Sequence, residues 1–171
     1  MRETQELEKS ILINLIRRMI DFLFENVQNF KETQLKDCVK KSVNMVLKEQ
    51  SFKKKFYLSV LFTDDNGMRQ INSKFRNKNS TTNVLSFPQN ETKYLKESNS
   101  VIILGDIVIS LEKILSESKK QKKTFSDHLC HMVVHSVFHL MGFNHQNDID
   151  SKKMIKKEIS VLNKLSISSP Y

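Results

Sequence analysis

The run His135-Ser136-Val137-Phe138-His139-Leu140-Met141-Gly142-Phe143-Asn144-His145 constrains this chain more than any other stretch, because it reads H-x-x-x-H-x-x-G-x-x-H. Two histidines four apart on a helix present both imidazoles on one face. A glycine can end that helix in a left-handed conformation, and the returning chain can then offer a third imidazole. Three neutral nitrogens around Zn²⁺ leave a fourth position for water, so the spacing points to a hydrolase rather than to a structural zinc module.

All five histidines of the chain fall between 128 and 145, so the ligands must be chosen among them. His131, His135 and His139 are each one helical turn apart, but the outer two are separated by roughly 12 Å of axial rise, too far to share one ion. Either the 131/135 pair or the 135/139 pair could bind. The second has a glycine and a further histidine placed to complete the site, so His135, His139 and His145 are the candidate ligands of a single ion. A lone histidine on an apolar helix is most often a core residue bonded to backbone, whereas three at this spacing favour a metal. His128 and His131 are then surface groups, or groups that support the ligands.

The same spacing occurs in metzincin proteases, where a glutamate follows the first histidine and acts as general base. Here that place holds Ser136. A serine hydroxyl cannot take a proton from water near neutral pH as a carboxylate can, which argues against peptide hydrolysis by that route.

The rest of the chain reads as one soluble domain. It has 171 residues, 39% hydrophobic and 27% charged, enough for a core of its own. Lysine and arginine outnumber aspartate and glutamate by 28 to 19, a net charge of +9. That balance favours a polyanionic partner, nucleic acid or acidic lipid, without choosing between them. Cys38 and Cys130 lie far apart with no C-x-x-C, so no disulfide framework is indicated and both read as buried thiols in a reducing compartment. The first apolar stretch, Ile11 to Phe24, is interrupted by Arg17, Arg18 and Asp21. It is neither a signal peptide nor a membrane span, and a cytoplasmic protein is expected.

Hydrophobic patterning places the elements. Residues 1–10 are a polar lead-in to a single domain over 11–168. Ile11 to Ile16 could start a strand or, with Met19, Ile20 and Leu23, continue as an amphipathic helix. Thr33 to Lys48 has helical spacing with one solvated face. Phe56 to Thr63 reads as a strand buried on both faces, ended by a turn at Asp64-Asp65-Asn66-Gly67, with a short helix through Met68, Ile71 and Phe75. Asn83 to Pro88 is a second strand that the proline stops or pushes to an edge, Gln89 to Ser100 a polar loop, and Val101 to Ile109 a third strand. Leu111 to Ser118 is a helix leading into the basic run Lys119 to Lys123. Ser126 is a plausible N-cap for the histidine helix, and Asp148 to Leu165 is a final amphipathic helix. Strands interspersed with helices imply an α/β (α+β-like) fold: a small mixed sheet packed with several helices, the metal site at the end of a central helix.

Gly67, Gly105 and Gly142 are the chain's three glycines. They read as serving a turn, a strand and a helix end, and their scarcity excludes a glycine-rich phosphate loop.

Two further segments carry a family resemblance. Ile71 to Pro88 takes basic groups and small hydroxyls into a strand, and Leu104-Gly105-Asp106-Ile107-Val108-Ile109 forms another. Together with the histidine run, and in this order over roughly residues 55 to 165, they resemble the bacterial YbeY family of metal-dependent endoribonucleases. The resemblance implies an α/β fold, one zinc ion on three histidines, and single-stranded RNA hydrolysis linked to 16S rRNA maturation and ribosome quality control. It also implies a catalytic role for Arg76, consistent with a guanidinium that holds two phosphate oxygens and stabilises the charge building on them.

The chain departs from the family pattern at Ser136, usually glycine, and at Phe143-Asn144, usually Tyr-Asp. Asn144 can hold geometry by hydrogen bonding but cannot serve as a base. Asp148, Asp150, Met154 and Glu158 follow the family's acidic helix, read here as helix-start charges and a solvated face. Lysines 119, 120, 122 and 123, with Lys74 and Lys78, would attract an RNA backbone or only maintain solubility. The expected partners are single-stranded RNA, rRNA, the ribosomal subunit and ribosomal proteins, with no membrane. A different class of answer is a ribosome assembly factor whose zinc is structural.

Overall fold

The computed structural model describes residues 18–89 and 101–170. The expected lead-in over 1–10, the Ile11 to Ile16 segment and nearly all of the 89–100 loop lie outside the described residues. Among the described residues nine elements follow in order: β1 (Arg18–Phe24), α1 (Glu32–Glu49), β2 (Phe56–Thr63), α2 (Asp65–Arg76), β3 (Val84–Pro88), β4 (Ile102–Ser110), α3 (Leu111–Lys120), α4 (Phe125–Leu140) and α5 (Asp148–Lys164). The fold is a single-domain α+β arrangement, as the mixture of strand and helix periods implies. Met19, Ile20 and Leu23 belong to a strand, which settles the strand-or-helix alternative for that stretch.

The sheet runs β1-β2-β4-β3. β1 and β4 flank β2 in parallel, and β3 closes the far edge antiparallel to β4. Pro88 ends that edge strand, where a missing N–H costs no ladder bond. Burial along β2 alternates: Phe56, Leu58, Val60 and Phe62 are in the core, whereas Tyr57, Ser59 and Leu61 are half-buried. The expectation of a strand buried on both faces is therefore corrected. One face packs into the core, and the other stays partly open, with Met19, Leu23 and Ile103 exposed.

Gly105 fixes the close approach of β3 to β4. Its φ is +137°, and a Cβ there would lie 2.1 Å from the Phe87 carbonyl oxygen. The β2–β4 register also shifts here, Leu58 pairing with Gly105 after Tyr57 pairs with Ile103.

Local sequence places the helices with two adjustments. Asp64 ends no turn but caps α2, accepting a hydrogen bond from the Gly67 amide at 2.7 Å, so Gly67 sits in the first helical turn. Thr124, not Ser126, caps α4, accepting from the Asp127 amide at 3.0 Å. Both are hydroxyl residues, and the earlier one leaves Phe125 to stack on Phe30 as the helix begins.

α4 is the central helix. It packs on α1, α3 and α5 and against the β3–β4 edge of the sheet. Leu129, Val133, Val134, Val137, Phe138 and Leu140 are sealed in the core. Where α1 meets α4, the two cysteines correct another expectation. Both are buried, but the structure pairs Cys38 with Cys130 as a disulfide, their Cα atoms 5.7 Å apart. The inference from separate thiols to a reducing compartment therefore does not follow. No described helix is long and apolar enough to cross a membrane.

Candidate metal centre

The histidine run folds as its spacing predicts. α4 ends at Leu140, and Gly142 takes a left-handed φ of 88°. The Gly142 amide donates to the His139 carbonyl at 2.9 Å and the Phe143 amide to the Phe138 carbonyl at 3.0 Å. That pair of bonds is a Schellman motif, and its usual apolar contact is the Phe138–Phe143 ring pair, 5.4 Å between centroids. The turn reverses the chain so that His145 returns to the end of the helix.

His135, His139 and His145 each offer one ring nitrogen within 4.8 Å of the others. The tautomers follow from what the remaining nitrogens touch. His139 Nδ1 lies 2.9 Å from the Phe143 carbonyl oxygen, an acceptor only, so Nδ1 carries the hydrogen and donates it. His135 Nδ1 donates likewise to Glu158 Oε1 at 2.8 Å. Both Nε2 atoms are then lone-pair acceptors, yet they face each other at 3.0 Å. Two lone pairs at that separation repel unless a cation lies between them, so the donor set fits a metal ion. Burial in the cleft, followed by repulsion from His135, lowers His139 to about 4, which keeps it neutral and able to ligate at physiological pH.

Glu158 is the residue that sequence reasoning placed wrongly. It is not on a solvated face: it is 1% exposed, and its second oxygen lies 3.6 Å from His131 Nε2. Met154 is buried too, while Asp148 and Asp150 do occupy the first turn of α5 as expected. The spacing Met154, Glu158, Val161, Leu162 was the available signal, since it puts the carboxylate on the apolar face of the helix. His131 thus lies beside the same carboxylate that meets His135. His128 is buried rather than on the surface, and is paired with Glu117 at 2.8 Å.

Arg76 reaches the same place from α2. It lines a cavity of about 600 Å³ together with all three histidines, Ser86 and Asn144. Its Nη2 donates to the Ser86 carbonyl at 3.0 Å, and its guanidinium sits 5.2 Å from the centre of the Phe87 ring. Asn144 Oδ1 accepts from the Gln146 amide at 3.3 Å, bracing the loop that carries His145. Ser136 is fully buried and lines no part of the histidine cavity, so the metzincin base position contributes no group to it. Lys78 lines a smaller cavity that also includes Arg76. The run Lys119 to Lys123 lies at the α3–α4 connection and lines no part of the histidine cavity.

Fold and site together define a single-domain α+β protein carrying a three-histidine group able to hold a metal ion. The chain belongs to the YbeY family, whose model, described as Endoribonuclease YbeY, matches residues 21–166. Among similar proteins, one from Bartonella quintana named Endoribonuclease YbeY is 40% identical over 153 residues, 89% of this chain and 96% of that protein. A namesake from Bartonella henselae is 39% identical over the same shares. A Thermotoga maritima protein solved in solution shares the fold with a TM-score of 0.61 at 24% identity, covering 86% of this chain and 89% of that one. The resemblance read from the three segments is borne out.

Proposed function

We propose that this protein is a zinc-dependent endoribonuclease that cuts single-stranded RNA, acting in 16S rRNA maturation and ribosome quality control. His135, His139 and His145 hold one ion, and Arg76 is the catalytic side chain beside it. The observation that carries the reading is the pair of Nε2 atoms of His135 and His139 at 3.0 Å, both with their opposite nitrogens anchored. The name shared by the family and its relatives supplies the RNA chemistry.

A zinc ion held by His135, His139 and His145 would supply Lewis acidity and a nucleophile competent at neutral pH. The chain's own groups do the rest. Arg76 spends one donor on Ser86, which leaves its remaining N–H groups for phosphate oxygens in the cavity it lines, where they would stabilise the negative charge that grows in the transition state. Glu158 and the Phe143 carbonyl orient two imidazoles. The net charge of +9 draws the RNA backbone in, and ribosomal RNA with its subunit proteins is the partner this predicts.

A purely structural zinc is the competing reading. Structural sites are closed by four protein ligands, whereas among the described residues this group has three, with His145 exposed, and opens onto a cavity. The deciding experiment pairs metal analysis of the purified protein with cleavage of a short single-stranded RNA, with and without chelator. Cleavage that persists in a folded His139→Ala variant sinks the zinc-enzyme reading; lost cleavage with retained binding to the ribosomal subunit supports it.

A further inference from the structure

A second cavity lies across Phe143 from the first. The segment after α1 (Gln50 to Lys54), the turn Gly142 to Asn144 and the start of α5 enclose about 580 Å³. Gly142, Phe143 and Asn144 line both cavities, so the two adjoin.

Its chemistry is that of a host for an anion beside a flat ring. Lys53, Lys54 and Lys153 supply the donors. Lys54 stands apart from ordinary surface lysines: its Nζ is sealed from solvent and meets no hydrogen-bond partner among the described residues. Three N–H donors held away from water without an acceptor are destabilising until an acceptor arrives. Asp150, which also lines the cavity, already accepts from the Asn147 side chain at 2.8 Å. Phe52 and Phe143 add aromatic surface, and Lys153 and Lys157 lie 5.9 and 5.2 Å from the centre of the Phe143 ring.

We propose that this cavity is the subsite for the RNA nucleotide adjoining the cleaved phosphodiester: its phosphate draws the Lys54 amino group out of its sealed position and takes its donors, and its base lies against Phe143. The assignment rests on the endoribonuclease reading above. An amino group without an acceptor calls for a phosphate oxygen, and aromatic surface beside lysines is how sequence-tolerant sites hold single strands. A site built for an acidic peptide would have no use for the flat ring.

The test measures binding of a short fluorescent single-stranded oligoribonucleotide to the full-length, metal-free protein by anisotropy across a salt series. Lys54→Met is expected to weaken binding about tenfold, as for loss of a hydrogen bond to a charged group. It should also flatten the slope of log affinity against log salt by about 0.7. Phe143→Leu should weaken binding about tenfold through lost stacking, and Lys54→Arg should restore most of what Met loses. Melting temperatures no lower than that of the parent protein exclude a folding defect in Lys54→Met. Wild-type affinity in both Lys54→Met and Phe143→Leu overturns the subsite, as does a poly-glutamate peptide that binds in Lys54-dependent fashion when RNA does not. Because no metal is present, these outcomes are separate from the chelator and His139→Ala results that decide the nuclease reading.

Discussion

Glu158 and His135 are joined by a 2.8 Å hydrogen bond between a carboxylate that is 1% exposed and the ring nitrogen that points away from the metal position. The bond fixes the tautomer and orientation of the imidazole and raises its basicity toward a cation. Glu158→Ala is expected to weaken metal binding by about 10-fold to 100-fold. Glu158→Gln, which keeps an acceptor oxygen, should lose less. Competition against a chromogenic chelator reads both; equal affinity in all three proteins would refute the role.

Arg76 predicts a different split. Its guanidinium is held by the Ser86 carbonyl and touches no histidine ligand, so Arg76→Ala should leave metal content unchanged. Single-turnover cleavage should fall about 100-fold, the scale for losing one transition-state donor. Arg76→Lys should recover little, because an ammonium cannot make the paired contact a planar fork makes. Full activity in Arg76→Ala would remove it from the chemistry.

Acid should destabilise the metal-free protein in a defined window. Burial and the neighbouring His135 lower His139 from 6.5 to about 4 when folded, and burial lowers His131 in the same direction. Below pH 6.5 the unfolded chain takes up protons that the folded chain refuses, so stability declines as pH falls and levels off at about 4. Thermal melting at stepped pH should show that decline, shallower in a His139→Gln variant. Identical profiles for the two proteins would assign the acid sensitivity elsewhere.

The left-handed Gly142 sets up a fourth prediction. Gly142→Ala places a Cβ at φ 88° and should cost about 1–2 kcal/mol of stability. It should also weaken metal binding, because the Phe143 carbonyl that orients His139 is set by this turn. Denaturant unfolding and chelator competition check the two effects separately. An unstrained Gly142→Ala protein would mean that the turn tolerates another conformation.

What could be read from the sequence was what the chain expresses locally. The aromatic and β-branched run Phe56 to Thr63 announces a strand, and the interval from His135 to Gly142 announces a helix and its end, because each signal lies within a few residues of its effect. The strand order was not legible. β2 pairs with β4 and skips the intervening β3, a choice made by packing between segments more than 40 residues apart. Glu158 was hidden for the same reason: amid Lys156 and Lys157 it looks solvated, and only the tertiary fold brings it to His135. Lys54 likewise resembles its lysine neighbours, and only the folded structure shows its Nζ sealed from solvent.

At Phe143 the main chain and the side chain answer to different demands. The carbonyl oxygen belongs to His139, and every amino acid carries that oxygen. The ring meets Phe138 edge to face and lies 5.2 Å from Lys157 Nζ of α5, and only the ring changes when the residue changes. Replacing tyrosine by phenylalanine at such a position alters what the surface offers a ligand while the imidazole keeps its anchor. The position can therefore diverge among related chains at little risk to the histidine group, a freedom His135, braced by the Glu158 side chain, does not share.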